Sequence, residues 1–151
     1  MQTRLEDIMT THVVTVSMDA TLAQIQRIFL QFRFHHVVVT EDGKAVGVLS
    51  DRDLLKNVSP FVGKLSEQSR DTNSLKKKAH QVMTRGLVCA PASMLAADAA
   101  LMLLQNNISC LPILDAEHHC IGIVTWRDLL RWASRAMGHM SGPDEDEALA
   151  A

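Results

Sequence analysis

The chain has 151 residues, 47% of them hydrophobic, and a formal net charge of −2 at pH 7. That content supplies a core, and the near-neutral balance gives no reason to expect nucleic acid or an anionic membrane as partner. With no run of about 18 apolar residues to cross a membrane and no basic-then-apolar profile in Met1-Gln2-Thr3-Arg4-Leu5-Glu6-Asp7, a cytosolic protein is expected.

In chain order, Thr3-x-x-Glu6 predicts a capping box opening a short helical turn into Ile8-Met9. Val13-Val14-Thr15-Val16 predicts a strand. Thr21-x-x-Gln24 predicts the start of a helix, with Leu22, Ile25, Ile28, Phe29 and Phe32 at helical spacing. His36-Val37-Val38-Val39 is the next strand. A turn centred on Asp42-Gly43 leads to the strand Ala45-Val46-Gly47-Val48-Leu49, and Ser50-x-x-Asp53 opens a helix. Residues 57–73, with Pro60 and Gly63, form a linker, and 74–83 is predicted helical with Leu75, Ala79 and Val82 on one face.

The same order then returns. Leu87-Val88-Cys89-Ala90 predicts a strand, and Ala96, Ala99, Met102 and Leu103 mark a helix. Leu111-Pro112-Ile113-Leu114 and Cys120-Ile121-Gly122-Ile123-Val124 predict strands, and Thr125-x-x-Asp128 opens the last helix. The likeness extends to residues. Ile8-Met9-Thr10 recurs as Val82-Met83-Thr84, and the nine residues from Gly47 to Leu55 recur from Gly122 to Leu130. The register slips by one residue between these landmarks. The insertion falls in Asp115-Ala116-Glu117-His118-His119, opposite Glu41-Asp42-Gly43-Lys44, and an indel confined to a turn is what two copies of one fold show. The expected organisation is a first repeat over 1–56, a linker and connecting helix over 57–80, a second repeat over 81–137, and a disordered acidic tail over 138–151. Each β-α-β-β-α copy is too small to bury its apolar face alone, so the sheets are expected to cover each other.

Two patterns carry chemistry. A Ser or Thr that closes a strand and opens a helix caps backbone N–H groups, and the helix start there favours phosphate. An Asp three residues on can accept the two hydrogen bonds of a ribose diol, and Arg52 or Arg127 between them supplies a fork suited to phosphate. The same residues also make a plain N-cap. Second, His35-His36 are adjacent on a strand, so their side chains point to opposite faces, which suits chelation of one metal poorly. One of them either meets a ligand phosphate or is buried and hydrogen-bonded. Arg33 is a further candidate phosphate contact, or a surface residue. Trp126 packs either at a subunit interface or beside a ligand. Lys76-Lys77-Lys78 and His118-His119 are expected in solvent. Cys89, Cys110 and Cys120 are an odd number in apolar surroundings, which points to reduced thiols. No nucleophile motif, P-loop, CxxC or HExxH site occurs, so neither an enzyme nor a metal site is expected.

With both copies in register over about residues 5–135, the chain resembles a stand-alone pair of CBS domains (cystathionine β-synthase domains, a Bateman module). Pro112 is the residue that family usually shows at its position, where the first copy has Val38. The resemblance implies an α+β fold of two β-α-β-β-α repeats, packed sheet to sheet about a pseudo-twofold axis. It implies a regulatory, energy-sensing role through AMP, ADP or ATP, or in some members S-adenosylmethionine or cyclic di-AMP, with no further cofactor. The ligand clefts it implies draw on both repeats. One would use Thr125, Arg127 and Asp128 with Val16, Thr21, His35 and His36. The other would use Ser50, Arg52 and Asp53 with Leu87, Ala90, Ser109 and Cys110. It also implies a homodimer, expected here through Leu54, Leu55, Leu129, Leu130 and Trp132, and a partner protein that reads the ligand state. An interaction module with inert clefts is the competing expectation.

Overall fold

The computed structural model describes residues 2–139. Apart from Gly138 and His139, the expected acidic tail lies outside the described residues. The described residues divide into two compact units: Val13–Leu87 with Ala116–Cys120, and residues 2–12 with Val88–Asp115 and residues 121–139.

The first unit runs β1 (Thr15–Ser17), α1 (Leu22–Phe32), β2 (His36–Glu41), β3 (Lys44–Ser50), α2 (Asp51–Asn57), α3 (Ser69–Ser74) and α4 (Ala79–Val82). Its sheet has the order β1-β2-β3, with β1 parallel and β3 antiparallel to β2. The Thr21 capping box forms as the sequence predicts. Thr21 Oγ1 accepts from the Gln24 N–H at 3.2 Å, and Gln24 Oε1 accepts from the Thr21 N–H at 2.9 Å. Asp42 and Gly43 both have positive φ, 50° and 79°, the conformation of the tightest hairpin turns. Leu22 and Ile25 from α1, Val37, Val39 and Leu49 from the sheet, and Leu54 and Ala79 from α2 and α4 form one core. Each fully buried large aliphatic side chain contributes about 1.5–3 kcal/mol.

The predicted helix over 74–83 contracts to α4. Leu75 and Lys77 instead turn their carbonyls to the start of α1, accepting from the Ala23 N–H at 3.1 Å and the Leu22 N–H at 2.9 Å. They satisfy donors that a helix start leaves without intrahelical partners. The linker also holds a helix the sequence reading did not predict. Asp71, 5% exposed, accepts from Ser59 Oγ at 2.6 Å and the Gln68 N–H at 2.8 Å, which fixes α3 against the chain at Ser59. The Ser59 bond, then that of Gln68, holds the Asp71 carboxyl below its usual range.

The second unit runs α5 (Ala96–Asn106), β4 (Cys110–Leu114), β5 (Cys120–Thr125) and α6 (Trp126–Ala136), preceded by a 3-10 turn at Leu5–Asp7. Its sheet is two-stranded, β4-β5. Leu5, Ala96, Ala99, Leu103, Leu111, Ile113, Val124 and Leu129 form its core. The predicted strand over 87–90 is reduced to one bridge, in which the Ala90 N–H donates to Pro112 O (3.1 Å) and the Leu114 N–H to Ala90 O (3.0 Å). The first repeat shows why. There the Val38 N–H donates to Val14 O at 3.2 Å. Pro112 occupies that position in the second repeat and has no N–H to donate. The N-terminal cap also moves by one residue, from Thr3 to Arg4, whose N–H donates to Asp7 Oδ2 at 2.9 Å. The Leu5 and Glu6 N–H groups are already taken by Met94 O and Ala92 O, at 2.9 and 3.0 Å.

The units cross the expected sequence boundaries at both repeats. Thr10, early in the first repeat, bridges Ile123 in β5 through two backbone bonds of 3.0 and 2.9 Å. Thr84, early in the second, bridges Val48 in β3 through bonds of 2.9 and 3.3 Å. Each repeated Met-Thr pair thus docks in the unit that holds the other repeat's final hairpin. The repeated glycines permit it: a Cβ on Gly47 would stand 2.6 Å from Met83 Sδ, and one on Gly122 2.5 Å from Met9 Sδ. The inserted turn is exchanged as well, with the Ala45 N–H donating to His118 O at 3.0 Å.

Candidate functional site

Both Ser/Thr-x-x-Asp patterns form the same box. In the first unit Ser50 caps α2. Asp53 Oδ2 accepts from the Ser50 N–H and the Ser50 hydroxyl, both at 2.8 Å, and Ser50 Oγ accepts from the Asp53 N–H at 3.2 Å. In the second unit Thr125 caps α6. Asp128 Oδ2 accepts from the Thr125 N–H at 2.7 Å and the hydroxyl at 2.8 Å, and Thr125 Oγ1 accepts from the Asp128 N–H at 3.3 Å. One carboxylate oxygen of each Asp is therefore spent on the cap. Oδ1 is the oxygen each box can offer a ligand, so a ribose diol cannot meet two unoccupied oxygens there.

The strand start of the same repeat completes each box. His36, opening β2, stands opposite Ser50 in register. The His35 carbonyl accepts from the Asp51 N–H at 3.0 Å, and His35 Nδ1 lies 2.9 Å from Asp51 Oδ2. Burial is the main cause that lowers the His36 pKa from its ordinary value, opposed in part by the Asp51 carboxylate. In the second unit the Ser109 carbonyl accepts from the Trp126 N–H at 3.1 Å, and the buried Cys110 opens β4. The structure thus gathers Ser50, Arg52 and Asp53 with His35 and His36, and Thr125, Arg127 and Asp128 with Ser109 and Cys110. Val16 is buried in the first core, Thr21 caps α1, and Leu87 lies in the irregular segment that closes the first unit. Ala90 is buried at the single bridge to β4. Arg33 ends α1 in the left-handed region at φ 54°.

The sequence reading passed over two residues. Asp51 pairs with His35, and Arg131 Nη1 lies 3.5 Å from Asp128 Oδ1. The signal for Arg131 was its spacing, one helical turn beyond Asp128. A cluster of Asp115, Glu117 and His119 also has metal-ligand atoms within 4.8 Å of one another, in exposed or half-exposed positions. Cys89, Cys110 and Cys120 form no disulfide with one another.

The apolar helix faces differ from expectation. Leu54 and Leu129, expected at a dimer interface, are 6% exposed and packed inside their own units, because their positions face the sheets. Leu55 and Leu130, one residue on, point outward at 75% and 59% exposure. In the second unit a groove of about 420 Å³ runs between α5 and α6, lined by Leu103, Leu104, Ile108, Trp126, Leu130 and Trp132. Trp126 is thus an outer-groove residue of its unit. No helix among the described residues is long and apolar enough to cross a membrane.

Two α+β repeats, each with a capped helix at the end of its hairpin, define a tandem-repeat module. The CBS domain family model matches residues 5–60 and 79–135, and the chain belongs to the CBS domain family. A relative from Methanocaldococcus jannaschii, "Uncharacterized protein MJ1426", is 34% identical over 149 residues, covering 83% of this chain and 88% of that protein. Inosine-5'-monophosphate dehydrogenase of Bifidobacterium longum is 32% identical over 130 residues, 85% of this chain but 22% of that enzyme. Among solved structures, CBSX2 in complex with AMP superposes with a TM-score of 0.73 at 26% identity, covering 89% of this chain and 98% of that one.

Proposed function

We propose that this chain is a non-enzymatic regulatory module that binds an adenosine-containing ligand of the AMP, ADP or ATP type at its two Ser/Thr-x-x-Asp boxes. One observation carries the reading: the same box forms twice with matching hydrogen bonds, in a chain 26% identical to a CBS protein whose structure holds AMP. Asp53 and Asp128 take a ribose hydroxyl on Oδ1, and Arg52 and Arg127 take phosphate. His36 stands beside the first box as a neutral donor or acceptor. The module works in the cytosol, and a partner protein reads its ligand state.

The test is thermal unfolding with a panel of AMP, ADP, ATP, S-adenosylmethionine and cyclic di-AMP, followed by calorimetry. A ligand at 100 times its Kd raises stability by about 2.7 kcal/mol. Arg127→Ala weakens AMP and ATP more than adenosine and flattens the salt dependence of binding. No response to any member of the panel defeats the reading.

The groove between α5 and α6 favours a second role, association with another copy. In this reading Leu55, Leu130, Trp126 and Trp132 meet a homodimer partner. A monomeric mass by light scattering at micromolar concentration excludes it. A chain that dimerises and binds no nucleotide is an interaction module alone.

A further inference from the structure

The two boxes differ at one position that touches the oxygen left for a ligand. In α6, Arg131 Nη1 stands 3.5 Å from Asp128 Oδ1, with the side chains 23% and 14% exposed. Oδ2 of the same carboxylate is held by Thr125. Every oxygen of Asp128 is thus engaged before a ligand arrives. The first repeat has Lys56 at the matching position, and Asp53 carries no ion pair among the described residues.

We propose that Arg131 is a specificity-determining residue that competes with a ligand hydroxyl for Asp128 Oδ1. The inference rests on the reading of Thr125–Asp128 as a ribose site. A nucleoside without phosphate must displace the guanidinium from Oδ1 and gains no phosphate contact in return. The Thr125–Asp128 box is therefore weaker for a neutral nucleoside than its own hydrogen-bonding groups would make it, and the Ser50–Asp53 box carries no such handicap. The pair is largely shielded from solvent, so its contribution falls at the upper part of the range for surface ion pairs, which run to about fivefold in an equilibrium constant. Salt acts in the opposite direction to its usual effect on nucleotide binding. It screens the Arg131–Asp128 pair and so favours the uncharged ligand.

The experiment is calorimetric titration of the full chain with adenosine. An Asp53→Ala background removes the carboxylate of the other box and confines the measurement to the Thr125–Asp128 box, and Arg131→Gln and Arg131→Lys are added to it. In the background alone, raising KCl from about 0.05 to about 0.5 M is expected to tighten adenosine binding. Arg131→Gln is expected to tighten it about two- to fivefold at low salt and to abolish the gain from KCl, with Arg131→Lys between the two. Equal or weaker binding by both variants, with the salt response unchanged, overturns the proposal while leaving the ribose site standing. Absence of adenosine-nucleotide binding by the wild-type chain overturns the ribose site and this inference with it.

Discussion

Replacing Asp128 with alanine is expected to destabilise the protein even when no ligand is present. The carboxylate accepts two short hydrogen bonds from Thr125, at 2.7 and 2.8 Å, and is 14% exposed. Hydrogen bonds to a charged group contribute about 1.5–3 kcal/mol each when a partner is stranded. Water reaches part of this site, and the Thr125 hydroxyl can turn to it, which lowers the figure. A first-turn acid adds about 0.3–1 kcal/mol through the helix dipole, and alanine returns about 0.5 kcal/mol of helix propensity. The net expectation is a loss of about 2 kcal/mol, or about 4–8 °C in Tm for a chain of this length. Thermal unfolding followed by circular dichroism without nucleotide measures it. Asp128→Asn, which keeps one acceptor oxygen, should fall between wild type and Asp128→Ala. A loss below about 0.5 kcal/mol for Asp128→Ala would refute the argument that the box is a structural cap as well as a ligand group. Binding assays on this variant therefore belong well below its lowered Tm.

Gly122→Val is expected to cost about 1–3 kcal/mol in urea unfolding, because its Cβ would meet Met9 Sδ at 2.5 Å and Thr10 O at 3.3 Å; an unchanged midpoint would show that the Met9-Thr10 segment yields freely. Pro112→Val restores a donor opposite Val88 O, and the new amide should be protected in hydrogen exchange. Stability should change little, because a bond of about 1 kcal/mol is offset by the freedom proline withheld from the unfolded chain; rapid exchange at that amide would contradict the account of the missing strand. His36 is held neutral by burial, with its folded pKa below the ordinary 6.5. The unfolded chain then binds the proton more readily, so stability is full above about 6.5 and falls as pH drops through that value towards the folded pKa. His36→Gln should flatten that part of the pH–stability curve, and an unaltered slope would assign the effect elsewhere.

The elements with strong local signals were legible in the sequence. Thr21-x-x-Gln24, Asp42-Gly43 and the two Ser/Thr-x-x-Asp boxes each carry their own hydrogen-bond logic within four residues, and each formed as read. What failed depended on distant groups. Residues 74–83 have helical spacing, but the carbonyls of Leu75 and Lys77 serve α1 instead. Leu87-Val88-Cys89-Ala90 reads as a strand in isolation, and its partner's proline decides otherwise. Leu54 and Leu55 are both apolar neighbours at a helix face, and only the sheet's position separates the buried one from the exposed one. At the candidate site the residue types were visible, but not that Oδ2 of each Asp is consumed by its own cap, nor that Asp128 already faces a guanidinium.

The exchange of the Met-Thr segments bears on how the chain is made. Synthesis runs from the N-terminal to the C-terminal side, so Thr10 leaves the ribosome long before Ile123, the residue whose backbone it joins. Thr84, by contrast, follows Val48 and finds its strand already present. The first unit can assemble most of its sheet as it emerges, whereas the second must hold its opening segment unpaired until its last hairpin arrives. Leu5, fully buried at the end, waits for Met94, whose carbonyl accepts from its N–H. The Met9-Thr10 segment is thus among the last to be paired, and a stop anywhere before β5 leaves Thr10 without its partner strand.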